Sequence, residues 1–287
     1  MESPASIDSI PNEILITILS LFPTRALLPL VAVSRHFNSV TVRIVRHRMK
    51  QATALPDYRL ILECYHPSAK ISTPYLYGDY LSTDSLEDDD DDESLAGRSE
   101  PGHLPEPTIG RLRDIYSHFR PVVQEENRRA RSRYLSQSQP DVDSRPPSHD
   151  IYLDENELFS QLCTVTNLVK VGPKPGLFLS HVNVSDAVIR VWRGWLATQV
   201  ALPEDWQKPV LWADASRDVG LRFRVTEREV NKSLPPVLFS FDDEPPVAYR
   251  LEFEELLVRT GRLLLTVEKS EAQEVATSGK AIVIASI

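Results

Sequence analysis

The sequence predicts an α+β protein in which a small helical module precedes a β-rich domain. Three observations carry that prediction. The first fifty residues place apolar side chains at helical spacing, cut by Pro11, Pro23 and Pro29. From residue 150 onward, apolar residues alternate with polar or small ones, as half-buried strands require. Between these regions lie acidic and proline-rich stretches that cannot build a core.

The first segment reads as three short helices. Pro11 suits a helix start, where its missing N–H costs nothing. Ile14, Leu15, Ile18, Leu19 and Phe22 then mark one helical face, and Pro23 ends it. A second helix is expected from about Arg25 to Val33, bent or started by Pro29. The third begins near Ser34, with Val33, Phe37, Val40 and Ile44 as its apolar stripe. Single helices this short are marginal in water, so the three must pack together. A membrane span over Ile14 to Val33 is disfavoured, because Pro23-Thr24-Arg25 puts a break and a charge at its centre.

Residues 57–80 read as extended: "DYRLILECY" as a strand and "ISTPYLYGDYL" as an edge segment able to join the later sheet. Residues 81–108 contain the acidic run Glu87 to Glu93, which repels itself and predicts a disordered, solvated insert. Residues 109–149 read as a partly helical basic segment, broken at Pro121, and then a linker. In the β-rich domain, 150–287, strands are expected at Val219 to Val225 and Tyr249 to Phe253. A hairpin is expected to turn at Thr260-Gly261-Arg262. One helix, capped by Ser185 and carrying Val188, Trp192, Trp195, Leu196 and Gln199, interrupts the domain, and "KAIVIAS" reads as a last strand. Either an α+β arrangement or a decorated β-sandwich fits this order.

The formal charge of −9 argues against general nucleic-acid binding. Cys64 and Cys163 stand far apart, outside any CxxC or Cys/His cluster, and read as buried thiols in a reducing compartment. The first residues carry no basic leader, so a cytoplasmic or nuclear protein is expected. The glycosylation patterns at Asn183 and Asn231 then carry no weight.

Taken together, the elements from Ile7 to Met49 resemble an F-box. Ile10-Pro11, Glu13-Ile14-Leu15, Leu27-Leu28 and Val33-Ser34-Arg35-His36-Phe37 follow the family's order and spacing. Ile10 stands where Leu is usual, and the family's frequent Trp near the end of the third helix is absent around Arg46-His47. The resemblance covers residues 7–50. It implies a Skp-family adaptor as partner, a cullin through that adaptor, and a substrate protein held elsewhere on this chain. The adaptor-binding residues it implies are Ile10, Pro11, Glu13, Ile14, Leu15, Leu27, Leu28, Val33 and Phe37.

The residues support a docking surface independently. A bundle of about forty residues is near the lower size limit for a core of its own, so an apolar face should stay exposed unless a partner covers it. No acid occurs between Ile14 and Pro56, while Arg25, Arg35, Arg43, Arg46, Arg48 and Lys50 do, which favours an acidic partner. The function implied is a non-catalytic substrate receptor of an SCF-type ubiquitin ligase, needing no catalytic residue, metal or cofactor. One alternative is a glycan- or peptide-binding F-box protein, with Trp192 and Trp195 as candidate ligand contacts. Another is a helix-turn-helix using the basic third helix. For an enzyme, Ser180, His181 and Asp186 are the one arrangement resembling nucleophile chemistry. Ser85, followed by acids, is a candidate phosphosite, and Arg128 to Arg133 a candidate import signal.

Overall fold

The computed structural model describes residues 10–70, 73–84, 109–123, 146–173, 177–203, 206, 208–229, 245–277 and 282–283. The acidic run, Ser85 and the basic stretch 128–133 lie outside the described residues.

The N-terminal module comprises α1 (Asn12–Leu19), α2 (Thr24–Leu27), a 3-10 turn (Leu28–Ala32) and α3 (Arg35–Thr53). The carbonyl of Pro11 accepts from the N–H groups of Ile14 and Leu15 and so starts α1. The expected second helix is instead one α-turn followed by the 3-10 turn, because Pro29 has no N–H to continue the α ladder. Ser34 caps α3, its hydroxyl accepting from the Phe37 N–H at 3.2 Å.

Helix α3 has two buried sides. Val40 and Ile44 pack with Leu15, Leu19 and Leu27 into the module's own core. Val42, Val45, Met49 and Ala52 pack instead against Leu112 of α4 (Ile109–Arg113), Ile115 and Leu264 of the C-terminal helix. Each such side chain contributes roughly 1.5–3 kcal/mol when fully buried.

Beyond the module, the described strands form one continuous antiparallel sheet rather than two stacked ones. They are β1 (Tyr58–Tyr65), β2 (Leu76–Thr83), β3 (Tyr116–Val122), β4 (Ser148–Leu153), β5 (Phe159–Val171), β6 (Leu177–Trp192), β7 (Leu211–Trp212), β8 (Val219–Arg228), β9 (Val247–Arg259) and β10 (Ile282–Val283). Their order is β10-β6-β5-β1-β2-β3-β9-β8-β7, with β4 also pairing β9. β1 therefore lies inside the sheet, between β5 and β2. Alternate residues face the core: Tyr58, Leu60, Leu62 and Cys64 from β1, Val219, Leu221, Phe223 and Val225 from β8, and Tyr249, Leu251 and Phe253 from β9. A smaller cluster of Ile61, Tyr77, Val169 and Phe178 forms on the opposite face.

Three local expectations are corrected. The expected hairpin at Gly261 is a strand-to-helix junction: β9 ends at Arg259 and α6 (Thr260–Thr277) begins. Leu263, Leu264 and Val267 there follow a helical spacing, not an alternating one. The helix expected from Ser185 starts only at Arg193, as α5 (Arg193–Ala201), because Ser185 to Trp192 pair with Phe159 to Thr166. The β-branched Val188, Ile189 and Val191 favour that strand. Residues 116–122, expected to be helical, form β3 between β2 and β9. Cys64 is buried, and burial pushes its thiol up to about 12, whereas Cys163 is only half-buried.

Helix α6 joins module and sheet. Its Leu263 enters the sheet core and its Leu264 the α3 cluster. Arg262 donates twice to the Val184 carbonyl, and Ser270 hydrogen-bonds Ser180. On its other side the Glu268 carboxylate accepts from the Thr24 hydroxyl at 2.6 Å and the Thr24 N–H at 3.1 Å, capping α2. Arg48 of α3 completes the node, donating to Glu268 at 3.2 Å, to Thr24 Oγ1, and to the Ser20 and Phe22 carbonyls. Removing this carboxylate strips α2 of its cap and Arg48 of its anion. Glu268→Ala is expected to lower stability by about 2 kcal/mol in urea unfolding. Lys269→Ala, on the exposed side, should stay within about 0.5 kcal/mol.

Candidate functional site

The module's two helical rows separate cleanly in space. Leu15 and Leu19 point inward, while Ile14 (53% exposed), Ile18, Leu21 (83%) and Phe22 point outward. Ile14 and Ile18 lie one turn apart on α1, beside the buried row, whereas Leu21 and Phe22 follow the helix end and line a groove with Arg48, Ala52 and Leu264. The 3-10 turn adds Leu28 (42% exposed), and Val33 (63%) follows it. Exposed apolar side chains gathered on one small module make it the candidate docking region.

The expected docking residues divide accordingly. Ile14, Leu28 and Val33 are open to contact, as are Pro11 and Glu13, and Ile10 and Phe37 are half-buried at the core's margin. Leu15 and Leu27 are buried, so they hold the face in shape from beneath. Ile18, Leu21 and Phe22 were not singled out from the sequence as contacts. For Ile18, α1 has apolar residues on two adjacent rows, and spacing alone does not say which row faces the core; Leu21 and Phe22 lie past the helix end, where spacing says nothing. Of the basic residues, Arg25, Arg35 and Arg43 are exposed, whereas Arg48 is committed to the Glu268 node.

The second region is the outer face of the sheet. Leu81, Trp206, Lys208, Arg222, Arg224, Glu254 and Glu255 line a shallow basin there. Lys208 and Arg224 share the Glu254 carboxylate. Glu255 takes Arg222 on one oxygen and His118 Nδ1 on the other, the latter at 2.7 Å. His118 Nε2 meets Asp84 at 2.9 Å. The hydrogen bond to Glu255 holds the His118 imidazole above its usual 6.5 against the opposing effect of burial, and the bond to Asp84 adds to it. Burial works to raise the Glu255 carboxyl, but His118 and Arg222 more than offset it, leaving it below the ordinary carboxylate value.

The four tryptophans, close in sequence, separate in space. Trp192 is exposed on the sheet and packs against Phe159 at 5.0 Å, with Arg190 over the Phe159 ring. Trp195 packs against the sheet core, Trp212 meets Tyr116 with the two rings tilted, and Trp206 lies in the basin. Trp192 thus remains available to a ligand, while Trp195 serves mainly as packing. Ser180 is buried and hydrogen-bonded to Ser270, and the adjacent His181 points to the other face of β6, so the two do not form a nucleophile–base pair. Among the described residues, no group of His, Cys, Asp and Glu could hold a metal ion.

Residues 7–50 match the model of the F-box-like family. The N-terminal module is an F-box-like domain, and the rest of the chain is unassigned to a family. No curated protein and no solved structure matches the chain. The split between the two leucines of the 3-10 entry is directly testable. Leu27→Ala should cost about 2–5 kcal/mol in denaturant unfolding, while Leu28→Asp should fold with a change of about 0.5 kcal/mol.

Proposed function

We propose that this chain is the substrate-recognition subunit of an SCF-type ubiquitin ligase, acting in the cytoplasm or nucleus. Its F-box-like domain holds a Skp-family adaptor, and through it a cullin, while the sheet domain holds the protein to be modified. The observation that carries this reading is the exposed apolar set Ile14, Ile18, Leu28 and Val33 on a module whose α3 is packed against Leu112, Ile115 and Leu264. Exposed Arg25, Arg35 and Arg43 complement an acidic partner and speed its approach. In this role the chain contributes proximity, bringing a target lysine to ubiquitin activated on other subunits, and supplies no catalytic group.

The sheet offers two surfaces for a target, the Trp192–Phe159 patch and the Trp206 basin. They suit a peptide or a glycan as well as a folded protein, since aromatic faces with nearby polar groups serve all three. The helix-turn-helix alternative fits less well. Two sides of α3 are packed and Arg48 is bonded within the protein, which leaves fewer of its basic residues for phosphates than the sequence offers.

The test is co-purification of the full chain with a Skp-family adaptor, set against Pro11→Ala plus Leu28→Asp. Wild-type binding that the variant loses, with circular dichroism unchanged, is the expected result. A folded wild type that does not bind the adaptor overturns the reading.

A further inference from the structure

We propose that His118 is a protonation latch that fastens the end of β2 to β9 across the outer face of the sheet. Both ring nitrogens face carboxylate oxygens, Glu255 Oε1 at 2.7 Å and Asp84 Oδ1 at 2.9 Å. Carboxylates only accept, so both contacts are hydrogen bonds only when both nitrogens carry protons. A neutral imidazole has one N–H and one lone pair, and the lone pair would face a carboxylate at close range. Deprotonation must therefore release one of the two acids.

The surroundings decide which. Glu255 is mostly buried and is held by Arg222 from β8 on its second oxygen. Asp84 is half-exposed, and His118 is its only side-chain partner among the described residues. Asp84 is the one to leave. The groups facing His118 are thus Asp84 from the end of β2, Glu255 from β9 and, behind it, Arg222 from β8. The next charged pair along these strands is Asp79 opposite Arg120 on β2 and β3, which matches itself in register.

The sign follows from the two shifts. A histidine raised on folding lends stability that is complete below its unfolded value and is lost as pH rises through the folded one. The lowered Glu255 contributes above its unfolded value and loses that contribution as pH falls through the carboxylate range. The latch is closed between those limits and opens on the alkaline side. Opening touches the basin as well, because Leu81 on β2 and Glu255 on β9 form part of its lining. The surface presented by the sheet therefore depends on pH at the point where β2 gives way, in sequence, to the acidic run.

The experiment is a histidine NMR titration of the full chain, with amide exchange of Asp84 followed over the same pH range. The Asp84 N–H donates to the Tyr116 carbonyl at 2.9 Å and reports whether the strand end is held. His118 is expected to titrate above 6.5. Asp84 protection, corrected for the intrinsic pH dependence of exchange, should fall severalfold through the same midpoint. Asp84→Asn, a mild change at a half-exposed site, should shift the midpoint down and remove the coupled step. A His118 midpoint at or below 6.5, or Asp84 protection that ignores pH, would overturn the latch.

Discussion

The ion-paired node of Arg48, Glu268 and Thr24 fixes the relation between the two halves of the molecule. One carboxylate on α6 serves as the cap of α2 and as counter-charge to α3, while the same guanidinium closes the carbonyls that follow α1. All three module helices are thus referred to one residue of a helix whose other side is seated on the sheet. Both side chains are largely shielded from water, so the pair is screened far less than a surface salt bridge. The direction in which the module's exposed apolar residues point is set here.

The linker from α3 to β1 reinforces this. Leu55 and Asp57 both adopt left-handed backbone, with φ of 43° and 65°, a conformation that Asp takes readily but Leu rarely does. The strain is held because the Tyr58 N–H bonds the Leu55 carbonyl, the Val171 N–H bonds the Asp57 carbonyl, and Leu55 packs on the sheet core. A short, hydrogen-bonded turn does not act as a hinge. For a substrate receptor, such stiffness would keep a bound target at a set distance from whatever the module holds.

Much of this was legible in the sequence, and the reason differs by element. The module was readable because proline breaks, helical spacing and the Ile10-Pro11 to Phe37 pattern agree. Strands β8 and β9 announced themselves by clean alternation. The junction at Thr260 did not, because Gly261 resembles a turn residue and masks the helical spacing of Leu263, Leu264 and Val267, whose packing on two sides shows the helix. Strand β6 resembles a helix beyond Ser185 because Val188, Trp192 and Leu196 fall at helical spacing. Partnership with β5 overrides that spacing. The Glu268 node and the Asp84–His118–Glu255 chain join residues up to 244 positions apart, and no local pattern encodes such contacts.

Because α3 is buried on two sides, the boundary of the family match at residue 50 is not a boundary of folding. The helix runs on to Thr53, and Val42, Val45, Met49 and Ala52 find their neighbours in α4 and α6, some 60 to 220 positions later in the chain. The F-box-like domain is consequently no portable cassette. Excised at its motif limits, it would carry a second bare apolar flank besides the first, and self-association would compete with any specific partner. Grafted onto another protein, it would need a substitute for α6 that supplies both a leucine for the flank and an acid for Arg48.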